Sequence, residues 1–197
     1  MEWADAVTLC GGGVRLELLD PRHHEDLVDS TRDGRLWELW YTSVPAPDAM
    51  AAEISRRLEL YQRRLMVPFT VIDQASDKAV GMTTYMNIDA KHRRLEIGST
   101  WYRRSVWRSG LNTQCKLLLL THAFETMDCI AVEFRTHFLN RRSRAAIERL
   151  GAKLDGVLRN HQILADRTLR DTCVYSIIAG EWPTVKTHLA FEAGRND

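Results

Sequence analysis

RLEIGSTWYRRSVWRSGLNTQCKLLLLTHAFE, residues 94–125, carries three patterns in succession. Leu95 to Tyr102 alternates as a strand does, with Leu95, Ile97, Ser99 and Trp101 on one face and Glu96, Gly98, Thr100 and Tyr102 on the other. Arg103 to Gly110 is a basic loop. A helix follows, with Asn112 or Thr113 as its expected cap and Leu117 to Leu120, Ala123, Phe124 and Met127 as its apolar content. A strand, a glycine-containing turn and a helix start together make a seat for an anion. First-turn N–H groups have no acceptor inside the helix, and the helix dipole favours negative charge there. Arg103, Arg104 and Arg108 add full charges, and Gly110 lets backbone approach a phosphate without a Cβ between them. The competing reading is an ordinary connection with solvated arginines. The loop lacks the Gly-Lys-Ser/Thr of a Walker A turn and the spacing of G-x-G-x-x-G.

Outward from this stretch, strands and helices interleave. Residues 1–13, ending in Gly11-Gly12-Gly13, read as a loosely held arm before a single domain over 14–197. Val14 to Leu19 reads as a strand, and Asp20-Pro21 opens a short helix that places His23 and His24 at the surface. Trp37, Trp40 and Tyr41 cluster in an irregular segment, either as core or as the wall of an acceptor pocket. Pro47 to Leu65 is an amphipathic helix with the stripe Met50, Ile54, Leu58, Tyr61 and Leu65; Arg56, Arg57, Arg63 and Arg64 fall on its water side. Pro68 to Asp73 and Ala79 to Asn87 form two strands about a turn at residues 75–78. Ile130 to His137 is a further strand, and Asn140 caps a helix closed by Gly151. Lys153 to Ile163 and Arg170 to Ile178 are the last strands, and Trp182-Pro183 opens the last helix. This interleaving predicts one α/β domain with a mixed sheet.

The 197 residues suffice for one domain with a sizeable core. A net charge of +1 argues against a protein whose main role is coating nucleic acid or an acidic membrane. No apolar run approaches the roughly 20 residues of a membrane span. The first thirteen residues lack the basic and apolar regions of a signal peptide. Cys10, Cys115, Cys129 and Cys173 are scattered, as in a reduced cytoplasmic protein, and no metal site is expected.

The stretch 94–125, with Asn140-x-x-Ser143, Leu150-Gly151-Ala152, Gly156-Val157-Leu158-Arg159 and Arg170-Asp171, resembles the GNAT superfamily of acetyl-CoA-dependent N-acyltransferases, in its RimJ/RimL-type branch. The resemblance covers Val14 to Leu189. It implies a twisted, mostly antiparallel sheet of about seven strands flanked by helices. It also implies acetyl-CoA as co-substrate and a primary amine, such as a protein N-terminus, as acceptor. The family's pyrophosphate motif, Gln/Arg-x-x-Gly-x-Gly/Ala, aligned on Gly110, meets Trp107 at its first position and Asn112 at its last. The turn Trp107, Arg108, Ser109, Gly110, Leu111, Asn112 and Thr113 is then the expected phosphate seat. Thr100, Trp101 and Tyr102 would pair with the pantetheine arm, and the Asn140 helix would flank the thiol.

Amine attack on a thioester needs a base, donors for the oxyanion and an acid for the thiolate. The oxyanion donor is expected from a backbone N–H of the strand at residues 95–102. Glu96 is the candidate base, with a strand ion pair to an arginine such as Arg135 as the alternative. The tyrosine acid of many family members is Ile147 here; in the RimL-like branch the role falls to a serine, matching Ser143, whose alternative duty is to serve the backbone of its helix. His161 and Asp171 are candidates to relay protons, to hold the acceptor amine or to form a structural pair. Cys115 has no base nearby in sequence, so direct transfer is expected rather than a cysteinyl intermediate. A small-molecule amine acetyltransferase, a non-catalytic acyl-CoA-binding protein and a ribosome-associated module remain as competing readings, and a homodimer through the late strands is expected.

Overall fold

Residues 3–194 are described by a computed structural model of the protein. Eight strands form one sheet in the order β1 (Leu9–Gly11), β2 (Val14–Leu18), β3 (Met66–Asp73), β4 (Lys78–Asp89), β5 (Arg94–Tyr102), β6 (Ala131–His137), β8 (Leu169–Ile178) and β7 (Lys153–Ile163). Every neighbouring pair is antiparallel except β5 and β6. A parallel pair needs a crossover, and α3 (Leu111–Thr121) supplies it. On the face of α3 and α5 (Trp182–Gly194), Phe69, Tyr85, Leu95, Ile97, Leu119, Phe134 and Trp182 share one core. On the other face, α1 (His24–Arg32) and α2 (Met50–Gln62) bury Leu27, Met50 and Ile54 against Met82 and Trp101. The remaining helix, α4 (Arg141–Arg149), follows β6 and sends Ile147 into the first core.

Several expectations change. The sheet has eight strands because residues 3–13 are not a loose arm. Leu9–Gly11 pairs with β2 across a turn at Gly12 and Gly13, whose φ values are +54° and +73°, and Trp3 Nε1 donates to the Met127 carbonyl at 2.7 Å. His23 is buried rather than at the surface: Asp20 N–H donates to its Nδ1, Thr70 Oγ1 lies 2.8 Å from that atom, and Nε2 lies 2.8 Å from Glu17. Arg57 is 2% exposed, because its guanidinium reaches Glu53 at 2.6 Å and Thr84 Oγ1 at 2.8 Å. Leu65 lies past the end of α2 and is exposed.

The change that matters most lies in β5. Met82 faces Trp101 and Thr84 faces Gly98, so Thr83 alone opposes both Ser99 and Thr100. This is a bulge, with Ser99 at φ +47°. One extra residue reverses the alternation: Trp101 joins the α1–α2 face with Glu96, and Thr100 joins the α3 face with Leu95. Period-two alternation cannot reveal such a bulge, since it assumes an unbroken ladder. Gly81 permits the close approach of β4 to β5 beyond it. A Cβ there would lie 2.2 Å from the Trp101 carbonyl oxygen. Gly81→Ala is expected to lower stability by about 1–3 kcal/mol through overpacking, read from the urea midpoint; wild-type stability would mean the strands stand further apart.

Candidate active site

β5 and β6 pair only from Arg94↔Ala131 to Glu96↔Glu133. Beyond Glu96 the two strands part and leave a wedge, with the Ser99 bulge on one wall and His137 at the end of the other. Backbone groups that would have joined β5 to β6 are free there to take an extended ligand as an extra strand. Behind Thr100, Lys116 of α3 donates to Thr83 Oγ1 at 3.1 Å and to Thr100 Oγ1 at 2.8 Å. Burial pushes this lysine down to about 8. Sequence reading passed over Lys116; its signal was one cation inside the otherwise apolar run Cys115 to Leu120. Burial also pushes the Cys115 thiol up to about 12, which leaves it poorly nucleophilic.

At the wide end of the wedge lies the basic turn. The cap of α3 is Gly110, at φ +84°, rather than Asn112 or Thr113. Arg108 is also left-handed, at φ +66°, so the chain turns sharply into the helix. Leu111, Asn112 and Thr113 occupy the first turn, and the Leu111 N–H meets only a long 3.4 Å contact with Ser109 Oγ. Of the three loop arginines, Arg103 is engaged by Asp33 at 3.1 Å. The same Asp33 carboxylate accepts from Ser105 N–H, and although burial pushes it up, the bonds from Ser105 and Arg103 hold it below its ordinary value. Arg104 and Arg108 are exposed.

Trp107, standing at the motif position that usually carries Gln or Arg, donates from Nε1 to the Tyr102 carbonyl at 2.9 Å. Arg142 of α4 lays its guanidinium over that ring, 3.6 Å from the centroid. Burial lowers the Arg142 pKa, and Arg104 and Arg108 lower it further. Three cations thus converge on the turn. The pair bridges the two walls of the wedge, and no motif spacing announced it because the partners lie 35 residues apart (142 − 107).

Glu96 is buried on the α1–α2 face. Asn87 Nδ2 donates to its Oε2 at 2.7 Å. Arg135 stands 3.6 Å from the same oxygen and is bonded more closely, at 2.9 Å, to Glu133. Burial raises the Glu96 pKa, and the Asn87 bond and the Arg135 charge offset this only in part. Oε1 lies over Gly98, where a Cβ would come within 2.8 Å of it. A cleft of about 450 Å³, lined by Asn87, Arg94, Glu96, Glu133 and Arg135, joins the carboxylate to solvent at the β4–β5 end.

Asn140 caps α4 as expected, its Oδ1 accepting from Ser143 N–H at 3.0 Å. Among the described residues the Ser143 hydroxyl has no partner, so the side chain is not spent on the backbone. His161 is exposed and pairs with Thr172 Oγ1 at 3.1 Å. Asp171 accepts from Arg159 and from Asn160 N–H, a structural pairing within the β7–β8 hairpin. Trp40 lies edge-on to His137 at 5.2 Å and to Tyr41 at 5.6 Å, so the irregular segment does reach the wedge. Trp37 is half-buried in a short turn, outside that ring cluster. Among the described residues no group of three His, Cys, Asp or Glu could hold a metal ion, and no helix is long and apolar enough to cross a membrane.

The geometry is a strand bulge facing a wedge with a cationic turn at its mouth, and comparison with known proteins gives the family. Residues 14–153 match the family model described as "Acetyltransferase (GNAT) domain". The chain belongs to this family of acetyl-transferring enzymes. Over 102 residues it is 30% identical to the Bacillus subtilis (strain 168) protein named "Putative ribosomal N-acetyltransferase YdaF", covering 52% of this chain and 55% of that one. A GCN5-related N-acetyltransferase from Brucella melitensis has a TM-score of 0.84 at 28% identity, over 98% of this chain and 89% of its own. RimL, the ribosomal L7/L12 alpha-N-protein acetyltransferase, shares the fold, with a TM-score of 0.77 at 18% identity over 90% of this chain and 97% of its own.

A raised carboxyl pKa has a definite sign in stability. The contribution is present below the ordinary glutamate pKa and is lost as pH rises through the higher folded value, so ionised Glu96 is a cost at neutral pH. Glu96→Gln should therefore match the wild type near pH 4 and melt higher at pH 7, while acetyl transfer falls. A lower melting temperature at pH 7 would mark Glu96 as a structural ion-pair partner.

Proposed function

We propose that this protein moves an acetyl group from acetyl-CoA directly to the free amine of a protein N-terminus. The observation that carries the donor half is the wedge between β5 and β6, closed at its mouth by the Arg142–Trp107 stack. Its free strand edges suit the amides of a pantetheine arm. The first-turn amides at Leu111, Asn112 and Thr113, with Arg104, Arg108 and Arg142, suit a pyrophosphate. Acetyl-CoA supplies an electrophilic thioester carbonyl and a thiolate leaving group.

The residues supply the rest. A backbone N–H at the Ser99 bulge, unpaired with β6, receives the carbonyl oxygen as it gains charge. The amine nitrogen bonds to the carbonyl carbon, and Glu96 accepts the ammonium proton through water and passes it along its cleft to solvent. The carbon–sulfur bond breaks, and Ser143 Oγ gives its proton to the sulfur and regains one from solvent. Cys115 takes no part. The protein-N-terminus acceptor rests on the names borne by the relatives and on a face that combines a buried carboxylate with an aromatic wall at Trp40 and Tyr41.

The edge strand β7, with Leu154, Leu158 and Ile163 exposed, suits pairing with a second copy, and three buried thiols with one exposed suit a reducing cytoplasm.

The test is thiol release from acetyl-CoA against peptides with varied N-termini and against small amines. Turnover on peptide N-termini supports the proposal; turnover on small amines alone moves the acceptor to metabolites. Arg142→Ala is expected to weaken coenzyme A binding about tenfold, in keeping with the loss of one charge-assisted contact. Unchanged affinity by calorimetry would remove Arg142 from the phosphate seat.

A further inference from the structure

Three buried side-chain polar atoms lack a hydrogen-bond partner among the described residues: Trp101 Nε1, Tyr102 Oη and His137 Nε2. Tyr102 turns to the α3 face, beside Cys115. The other two share the α1–α2 face and stand at the open ends of the wedge, Trp101 on β5 and His137 on β6. Glu96 and Glu133 are in register, the bulge begins three residues beyond Glu96, and His137 lies four beyond Glu133. His137 therefore stands about one residue, roughly 3 Å, past the level of the bulge. Trp101 and His137 thus flank the part of the wedge where β5 and β6 no longer pair.

The tautomer of His137 follows from its other nitrogen. Nδ1 accepts from Leu139 N–H at 3.0 Å, so a neutral ring carries its hydrogen on Nε2. Burial, reinforced by Arg170 and opposed by Asp171, lowers the pKa and keeps the ring neutral. Nε2–H is thus a donor, not a base. Trp40, which is 55% exposed and lies on an irregular segment, packs edge-on against the His137 ring with 5.2 Å between centroids. A desolvated donor without an acceptor is costly, and an exposed ring packed beside it is one that a ligand can displace.

We propose that His137 reads the acceptor: its Nε2–H donates to the carbonyl oxygen attached to the amine-bearing carbon. The face then takes α-amino amides, the chemistry of a peptide N-terminus, over bare alkyl amines. A bare amine brings no oxygen and leaves the donor unsatisfied. This rests on the N-terminal reading above and names the residue that enforces it. Trp40 moves off His137 and packs on the first side chain of the acceptor.

The test compares alaninamide with isopropylamine, in which a methyl group replaces the carboxamide, on coenzyme A-loaded protein for binding and with acetyl-CoA for turnover. The wild type should favour alaninamide. His137→Phe keeps a ring beneath Trp40 and should reduce the ratio of the two kcat/KM values about 10- to 100-fold, chiefly through the KM for alaninamide. His137→Asn, which retains an N–H donor, should recover part of that ratio. In the wild type, the His137 Nε2–H resonance should shift on adding alaninamide and not on adding isopropylamine, a readout that needs no variant. A wild type without preference between the amines overturns the N-terminal reading and this proposal together. A kcat/KM ratio unchanged by His137→Phe, or an Nε2–H resonance indifferent to alaninamide, overturns the His137 assignment alone.

Discussion

The parting of β5 from β6 after a single short run of parallel pairing is the constraint on which the rest depends. Two strands that stop pairing leave backbone donors and acceptors unsatisfied, and a folded protein tolerates this only where a ligand or solvent completes them. The bulge at Ser99 bends β5 away at that level. Gly81 lets β4 follow β5 without a Cβ in the way, and Lys116 holds Thr83 and Thr100 from the α3 side. The wedge is thus maintained by contacts outside it, with its own surfaces left open.

Its two mouths have opposite characters. Towards the α3 start, Arg104, Arg108 and Arg142 gather around Trp107, where three cations lie closer together than solvent alone would favour. Towards the α1–α2 face, Glu96 is buried with a raised pKa, and His137, four residues beyond its register partner Glu133, is neutral. A polyanionic donor suits the first mouth and an amine the second. The division also keeps the carboxylate away from the arginines of the turn; Arg135, which stands 3.6 Å from it, is held more closely by Glu133.

Buried polar groups recur on the α1–α2 face. Arg57 ties α2 to Thr84, and His23 ties the start of α1 to Thr70. Both look like surface residues in a sequence, because charge and amphipathic spacing assign them to water. Each is buried because a partner on the sheet satisfies it. These contacts fasten the helices on either side of the irregular segment that carries Trp40.

By itself the sequence determined the order of strands and helices from Val14 onward and the Asn140 cap, and it singled out the turn at residues 107–113 and Glu96 as candidates. Alternation, capping residues and glycine placement are local signals, and local geometry suffices to read them. It did not determine which face Thr100 and Trp101 take, because a bulge breaks the period on which that reading relies. Nor did it reveal the Arg142–Trp107 stack, the Lys116 contacts or the unsatisfied Nε2–H of His137. Those arise between residues far apart in the chain, and only the packing of β5, β6, α3 and α4 brings them together.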